Sequence, residues 1–262
     1  MVHAILAVLL LSWATPASGP TDTESLRQAL VLFNSGKYQE CFELASTYLR
    51  QNPNNPTAHK LLGMDEYMRG NSRDALREVT RATELSPKDP EAFYYLGRLY
   101  FSADNAVAAL AAFQQSLELD PSSVRAYNHL GQTYEALGRR TDAEQAYQKG
   151  IELEKNQPKK SEWPYYNLGV LYLNSGRPED SVACFRQALV RDPAFADAKV
   201  KLAVALSNQK PSNESLQLLE EAIHTDPHNA EAHYRLALLL TKSGKREEAQ
   251  EQFALFQKYR KP

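Results

Sequence analysis

The stretch Pro90–Ser123, PEAFYYLGRLYFSADNAVAALAAFQQSLELDPSS, decides how the rest of the chain is read. Phe93, Leu96, Gly97 and Tyr100 recur at spacings of three and four, which puts them on one face of an α-helix. Ala109 and Phe113 repeat the four-residue spacing in the second half. Pro121 then closes the stretch, because proline cannot extend a helix. The unit predicted is helix, tight turn, helix.

Working outward, Gly97 aligns with Ala29, Gly63 and Gly131 at intervals of 34, with Gly169 after 38, and with Ala203 and Ala237 at 34 again. Three residues after each comes Leu32, Glu66, Tyr100, Tyr134, Tyr172, Leu206 or Leu240. Cys41, Ala75, Ala109, Ala143, Ser181, Ser215 and Ala249 mark the small site of each second half. Gly36, Gly70, Gly138, Gly176 and Gly244 fall between the halves, where a helix C-terminus takes up left-handed geometry. Seven repeats follow, 22–55, 56–89, 90–123, 124–157, 162–195, 196–229 and 230–262, with a loop insertion at 158–161. Lys155 stands where a fourth proline is due, and Lys210 before Pro211 replaces the turn glycine of repeat six.

The phased set F93-x2-L96-G97-x2-Y100, A109-x3-F113, P121 resembles the tetratricopeptide repeat family, whose pattern is W-x2-L-G-x2-Y, A-x3-F, P. The resemblance covers residues 22 to 262 and implies an all-α fold, a right-handed α-solenoid of antiparallel helix pairs whose first helices line a concave groove. Gln250 and Gln257, where inner repeats carry Leu110 and Leu117, fit a last repeat, and Gln28 fits an atypical first one.

The same geometry assigns the groove by position. Repeat two contributes Lys60, Met64 and Tyr67, and repeat three Tyr94, Tyr95, Arg98 and Phe101. Repeat four contributes Asn128, His129 and Gln132, and repeat five Trp163, Tyr166 and Asn167. Tyr, Trp and Arg are common anchors at protein interfaces, and amides can satisfy an extended peptide backbone. As solvent-facing anchors, Tyr94, Arg98 and Tyr166 should be removable without loss of the fold. The tail-carboxylate clamp of chaperone-binding relatives is not matched: Met64 follows Lys60 where Asn is required, and Asn128 and Gln132 stand where Lys and Asn are required.

Thirty basic against 32 acidic side chains give no basic excess for nucleic acid. The first 19 residues, MVHAILAVLLLSWATPASG, lack Asp, Glu, Lys and Arg. Their apolar core, Ala4 to Leu11, is shorter than the roughly 20 residues of a membrane anchor and precedes small residues, as in a cleaved export signal. The mature protein is therefore expected to be periplasmic or secreted, with no membrane span. Cys41 and Cys184 lie four repeats apart, too far for a disulfide in such a stack. His224, His228, Glu231 and His233 are not an HExxH zinc pattern and read as solvated loop histidines. Glu118, Glu152 and Glu154 read as exposed helix formers. No nucleophile, base and orienting group converge, so neither an enzyme nor a cofactor is expected. The expected function is a protein-binding adaptor or scaffold holding a peptide or partner subunit. The alternatives are a carbohydrate-binding or envelope-structural protein using the groove aromatics, and a regulatory subunit of a separately encoded enzyme.

Overall fold

The computed structural model describes residues 22–158, 160–209 and 212–260. The expected export segment 1–19 and the Lys210–Pro211 turn lie outside the described residues. Among the described residues the chain is all-α, with 14 helices packed in sequential antiparallel pairs. They fall into two compact units, divided after Pro87.

The first unit holds α1 (Asp22–Asn34), α2 (Tyr38–Gln51), α3 (Pro56–Met68) and α4 (Ser72–Leu85). The second opens with α5 (Pro90–Ser102), α6 (Ala106–Leu119), α7 (Val124–Ala136), α8 (Arg140–Glu154) and α9 (Trp163–Asn174). It continues with α10 (Pro178–Arg191), α11 (Ala196–Gln209), α12 (Asn213–Thr225), α13 (Ala230–Lys242) and α14 (Arg246–Tyr259).

Packing explains the repeating residues. A methyl group on Gly97 would meet the Phe113 ring at 2.7 Å, and one on Gly169 would meet Phe185 at 2.7 Å. Gly97, Gly131 and Gly169 are thus the seats for the aromatic of the helix that follows, and Gly63 is the seat for Val79. Phe113, Tyr147 and Phe185 are fully buried there, each a gain of about 1.5–3 kcal/mol in transfer free energy. Ala75, Ala109 and Ala143 are fully buried as well and let the paired helices approach. The turn glycines Gly36, Gly70, Gly138, Gly176 and Gly244 all have positive φ. Repeat three makes the same turn with Asp104, at φ 55°. Between hairpins, Asn55, Asp89, Ser123 and Asn229 cap the next helix by accepting a hydrogen bond from its first turn.

Within the second unit, first helices touch in an unbroken row, α5 to α7 to α9 to α11 to α13. Second helices approach first helices closely on either side, whereas among the described residues second helices reach each other through long side chains, Glu154 with Arg191 and Arg186 with Glu214, rather than by close backbone approach. That asymmetry brings the first helices together on the inner side and splays the second helices on the outer side.

Two expectations need correction. Glu154 is fully buried rather than exposed: Arg191, 37 residues on, reaches its carboxylate at 3.1 Å. A carboxylate drawn inside needs such a partner. His233 is buried rather than solvated, with Nδ1 at 2.7 Å from Gln252 Oε1 and Nε2 at 3.1 Å from the Pro227 carbonyl. His59 occupies the same register position and bridges Glu78 and the Pro53 carbonyl in the same way. Glu66, in the series of Tyr100 and Tyr134, is buried and accepts a 2.6 Å hydrogen bond from the Asn71 amide.

Candidate ligand-binding cleft on the first helices

The inner row of the second unit carries a cavity of about 360 Å³ where α5, α7 and α9 meet. It is lined by Tyr94, Arg98, Val124, Arg125, Asn128, His129, Gln132, Ser161 and Trp163. Six of these nine were expected from the sequence, so most of the positional assignment for repeats three to five converges on one space.

Helix periodicity places the floor. Tyr94 is 5% exposed and packs against Phe113 at 6.1 Å between ring centroids and edge-on to His129 at 5.4 Å. The Arg125 guanidinium lies over the Tyr94 ring, 4.6 Å from its centroid, and donates to the Glu91 carboxylate at 2.8 Å. Arg98 lies 5.9 Å from the Tyr94 ring and 5.7 Å from Tyr95. Cations over aromatic faces keep their charge while sitting on an apolar surface. His129 Nδ1 donates to the Arg125 carbonyl at 2.9 Å. Burial pushes its pKa below the ordinary value, and the two arginines push the same way, so the imidazole is neutral at pH 7 with Nε2 as an acceptor. The Asn167 amide donates to the Asn128 side-chain carbonyl at 2.9 Å, tying α7 to α9. Asn167 itself does not line the cavity; Asn128 and Gln132 bring the amides that do.

Trp163 forms the far wall, 45% exposed, held by Tyr166 at 5.9 Å and Phe195 at 5.0 Å. Beyond it opens a second cavity of about 540 Å³ lined by Asp120, Ser122, Ser123, Gln157, Lys160 and Glu162 among others. Val124, Arg125, Ser161 and Trp163 line both cavities, so the two are neighbours that share one wall. Lys160 and Ser161 of the insertion form part of the wall of the outer chamber. Lys160 Nζ donates to the carbonyls of Glu154 and Lys155 at 3.2 and 2.8 Å, and the Ser161 N–H donates to the Glu154 carboxylate at 3.3 Å.

The remaining expected residues lie elsewhere. Tyr95 and Phe101 pack at the edge of the core around Phe113, and Tyr166 lies between Phe185 and Phe195. Tyr94 and Tyr166 are therefore packing residues, and the expectation that they can be removed without loss of the fold is corrected. Lys60, Met64 and Tyr67 sit on α3 of the first unit, where Met64 is buried and the other two are half-buried. Arg125 was missed although it holds the second position of repeat four, as Trp163 does of repeat five, so one positional rule selects both. Ser161 belongs to the insertion and has no counterpart in the period.

Three family models described as tetratricopeptide repeat match the chain, over residues 61–124, 122–192 and 212–258. The chain is a tetratricopeptide repeat protein. Solved structures share the fold. A chain of the APC/C hetero-tetramer Cut9–Hcn1 superposes with a TM-score of 0.76 at 19% identity, covering 84% of this chain and 42% of that one. This tetratricopeptide repeat chain thus spans less than half the length of that relative. The pilF protein of Pseudomonas aeruginosa gives 0.69 at 19% identity, covering 75% of this chain and 88% of that one. YrrB, described as a tetratricopeptide repeat protein with an unusual peptide-binding site, gives 0.53 at 22% identity, covering 68% and 90%. No curated protein matches the sequence. Among the described residues no helix is long and apolar enough to cross a membrane.

Proposed function

We propose that this protein is an exported, non-enzymatic scaffold that holds a peptide segment of a partner protein in the cleft along α5, α7 and α9. Tetratricopeptide repeat proteins are in general protein-binding scaffolds and typically not enzymes. The observation that carries the reading is the inner chamber, where two arginines, an exposed indole and an amide pair line one space on rigid helices. Preorganised anchors lose little ordering entropy on binding. Relatives of the same fold include a protein described as having a peptide-binding site. The carbohydrate alternative has less support, because Tyr94 is buried and Tyr166 is packed between Phe185 and Phe195, which leaves Trp163 as the open ring of the three.

Calorimetry with a purified partner tests the reading. Trp163→Ala and Arg98→Ala should each weaken binding, the stronger by about 2 kcal/mol as interface anchors do. Glu118→Ala and Glu152→Ala, on second helices, should change it by less than about 0.5 kcal/mol. Equal losses on both faces would refute the groove. Export is tested separately by mass spectrometry of the native protein, with a mature N-terminus expected between Ser18 and Asp22; an intact Met1 in a cytosolic fraction would refute it.

A further inference from the structure

We infer that the inner chamber takes one aromatic side chain of the bound segment, a tyrosine or a tryptophan, whose ring stacks on the wall formed by Trp163 and the arginines and whose O–H or N–H donates to His129. This rests on the peptide-binding reading above and adds the chemistry of the anchor that the segment carries.

The bonds the arginines already make decide against a charged ligand. Arg125 donates to the Glu91 carboxylate at 2.8 Å and to the Tyr95 hydroxyl, and Arg98 donates to the Tyr94 hydroxyl. The Arg125 charge is balanced within the protein, and both guanidiniums have partners of their own for their N–H groups. Among the described lining residues there is no Asp or Glu, so a basic side chain would find no counter-charge either. A guanidinium held in this way still offers its flat face, which stacks on aromatic rings. The protein uses that affinity itself: Arg125 lies 4.6 Å from the Tyr94 ring centroid and Arg98 5.7 Å from that of Tyr95. The Arg125 side chain nevertheless stays half exposed.

Trp163 supplies the second surface. Tyr166 packs edge-on against it and Phe195 at a tilt, which holds the indole in place and leaves nearly half of the residue uncovered. An aliphatic side chain would bury the same area without the ring–ring and ring–cation attraction that an aromatic one adds. The polar requirement is equally specific. His129 Nδ1 donates to the Arg125 carbonyl at 2.9 Å, so in the neutral ring Nε2 carries a lone pair, and His129 lines the chamber. Tyrosine and tryptophan bring a ring and a donor together, whereas phenylalanine brings the ring alone. The chamber, at about 360 Å³, lies at the lower end of the roughly 300–1,000 Å³ typical of ligand sites, room for one large side chain rather than a run of them.

The test pans a random dodecapeptide phage library on the immobilised full chain and then synthesises the strongest binder. Selected peptides should share a tyrosine or tryptophan, and alanine in its place should weaken binding by about thirtyfold, as loss of an interface anchor does. Phenylalanine in place of tyrosine, or N-methyltryptophan in place of tryptophan, should weaken it by about fivefold, the effect of one hydrogen bond. In His129→Phe, checked for an unchanged melting profile, that fivefold loss should vanish; the peptide substitutions decide the inference even where this variant does not fold. Trp163→Leu should bind at least about tenfold more weakly, and added salt should change affinity by less than about twofold, because no ion pair is made. Peptides selected for acidic residues with strong salt dependence, or a shared ring that alanine replaces without loss, would overturn the inference while leaving a peptide-binding groove intact. Selection of no peptide would overturn both.

Discussion

Asp65 is a carboxyl group where the equivalent positions of repeats three, five and seven hold Leu99, Leu171 and Leu239. It is fully buried on α3, and neither of its oxygens has a hydrogen-bond partner. The charged or titratable groups facing it are Cys41 on α2 and Arg69 and Glu66 on α3, with Arg69 at 3.8 Å. Burial outweighs the neighbouring Cys41 thiol and Arg69 and raises the Asp65 pKa to about 6 from 3.8. Between about pH 4 and pH 6 the unfolded chain has released this proton while the folded chain retains it. Stability of the first unit should therefore fall by roughly 3 kcal/mol across that window and level off above it. Asp65→Asn should flatten the slope; hydrogen exchange of the α3 amides from pH 4 to 8 is the measurement, and an unchanged slope would count against the assignment. Tyr94 makes the contrasting case. Tyr94→Ala should cost about 3–5 kcal/mol, as large aromatic truncations in a core do, and Trp163→Ala much less. Urea denaturation of both variants decides this, and equal losses would mean that Trp163 is also a core residue.

At the scale of the element, the turn after α5 is the exception among six otherwise similar ones. Asp104 holds the left-handed conformation that glycine holds at residues 36, 70, 138, 176 and 244. An L-residue there costs roughly 1–2 kcal/mol, less for Asp, whose side chain bonds locally. Asp104→Gly should raise stability by about 0.5–1 kcal/mol; a lower denaturation midpoint would show that the aspartate side chain holds the turn. The helices, their pairing and the glycine seats were legible in the sequence because each is set by residues inside one 34-residue period. Six cavity positions on the first helices were legible for the same reason. The burial of Tyr94 was not, because its lid, Arg125 and His129, comes from the following repeat. Nor was the role of the insertion, since Glu154 is held by an arginine 37 residues away and Ser161 has no repeat counterpart. The period says which way a side chain leaves its helix and is silent about what meets it.

At the scale of the molecule, contacts in each unit run between sequence neighbours, so a fault should spread only to adjacent layers. Ala109→Leu, which adds bulk at a fully buried site between α5 and α6, should cost about 1–3 kcal/mol. Loss of hydrogen-exchange protection should concentrate in α5 to α8 and leave α13 and α14 nearly unchanged. Uniform loss across the second unit would instead mark it as one cooperative block.

The row of touching first helices has a mechanical side. Because second helices meet each other through side chains such as the Glu154–Arg191 and Arg186–Glu214 pairs, while first helices approach backbone to backbone, opening the outer face means releasing those side-chain pairs, and the inner row stays joined and serves as the pivot. Bending is then the soft deformation of the second unit and shear along the inner row the stiff one. A partner pulling on the cleft would meet a spring that yields in curvature first, storing strain in the spacing of the outer helices and returning it when the load is released.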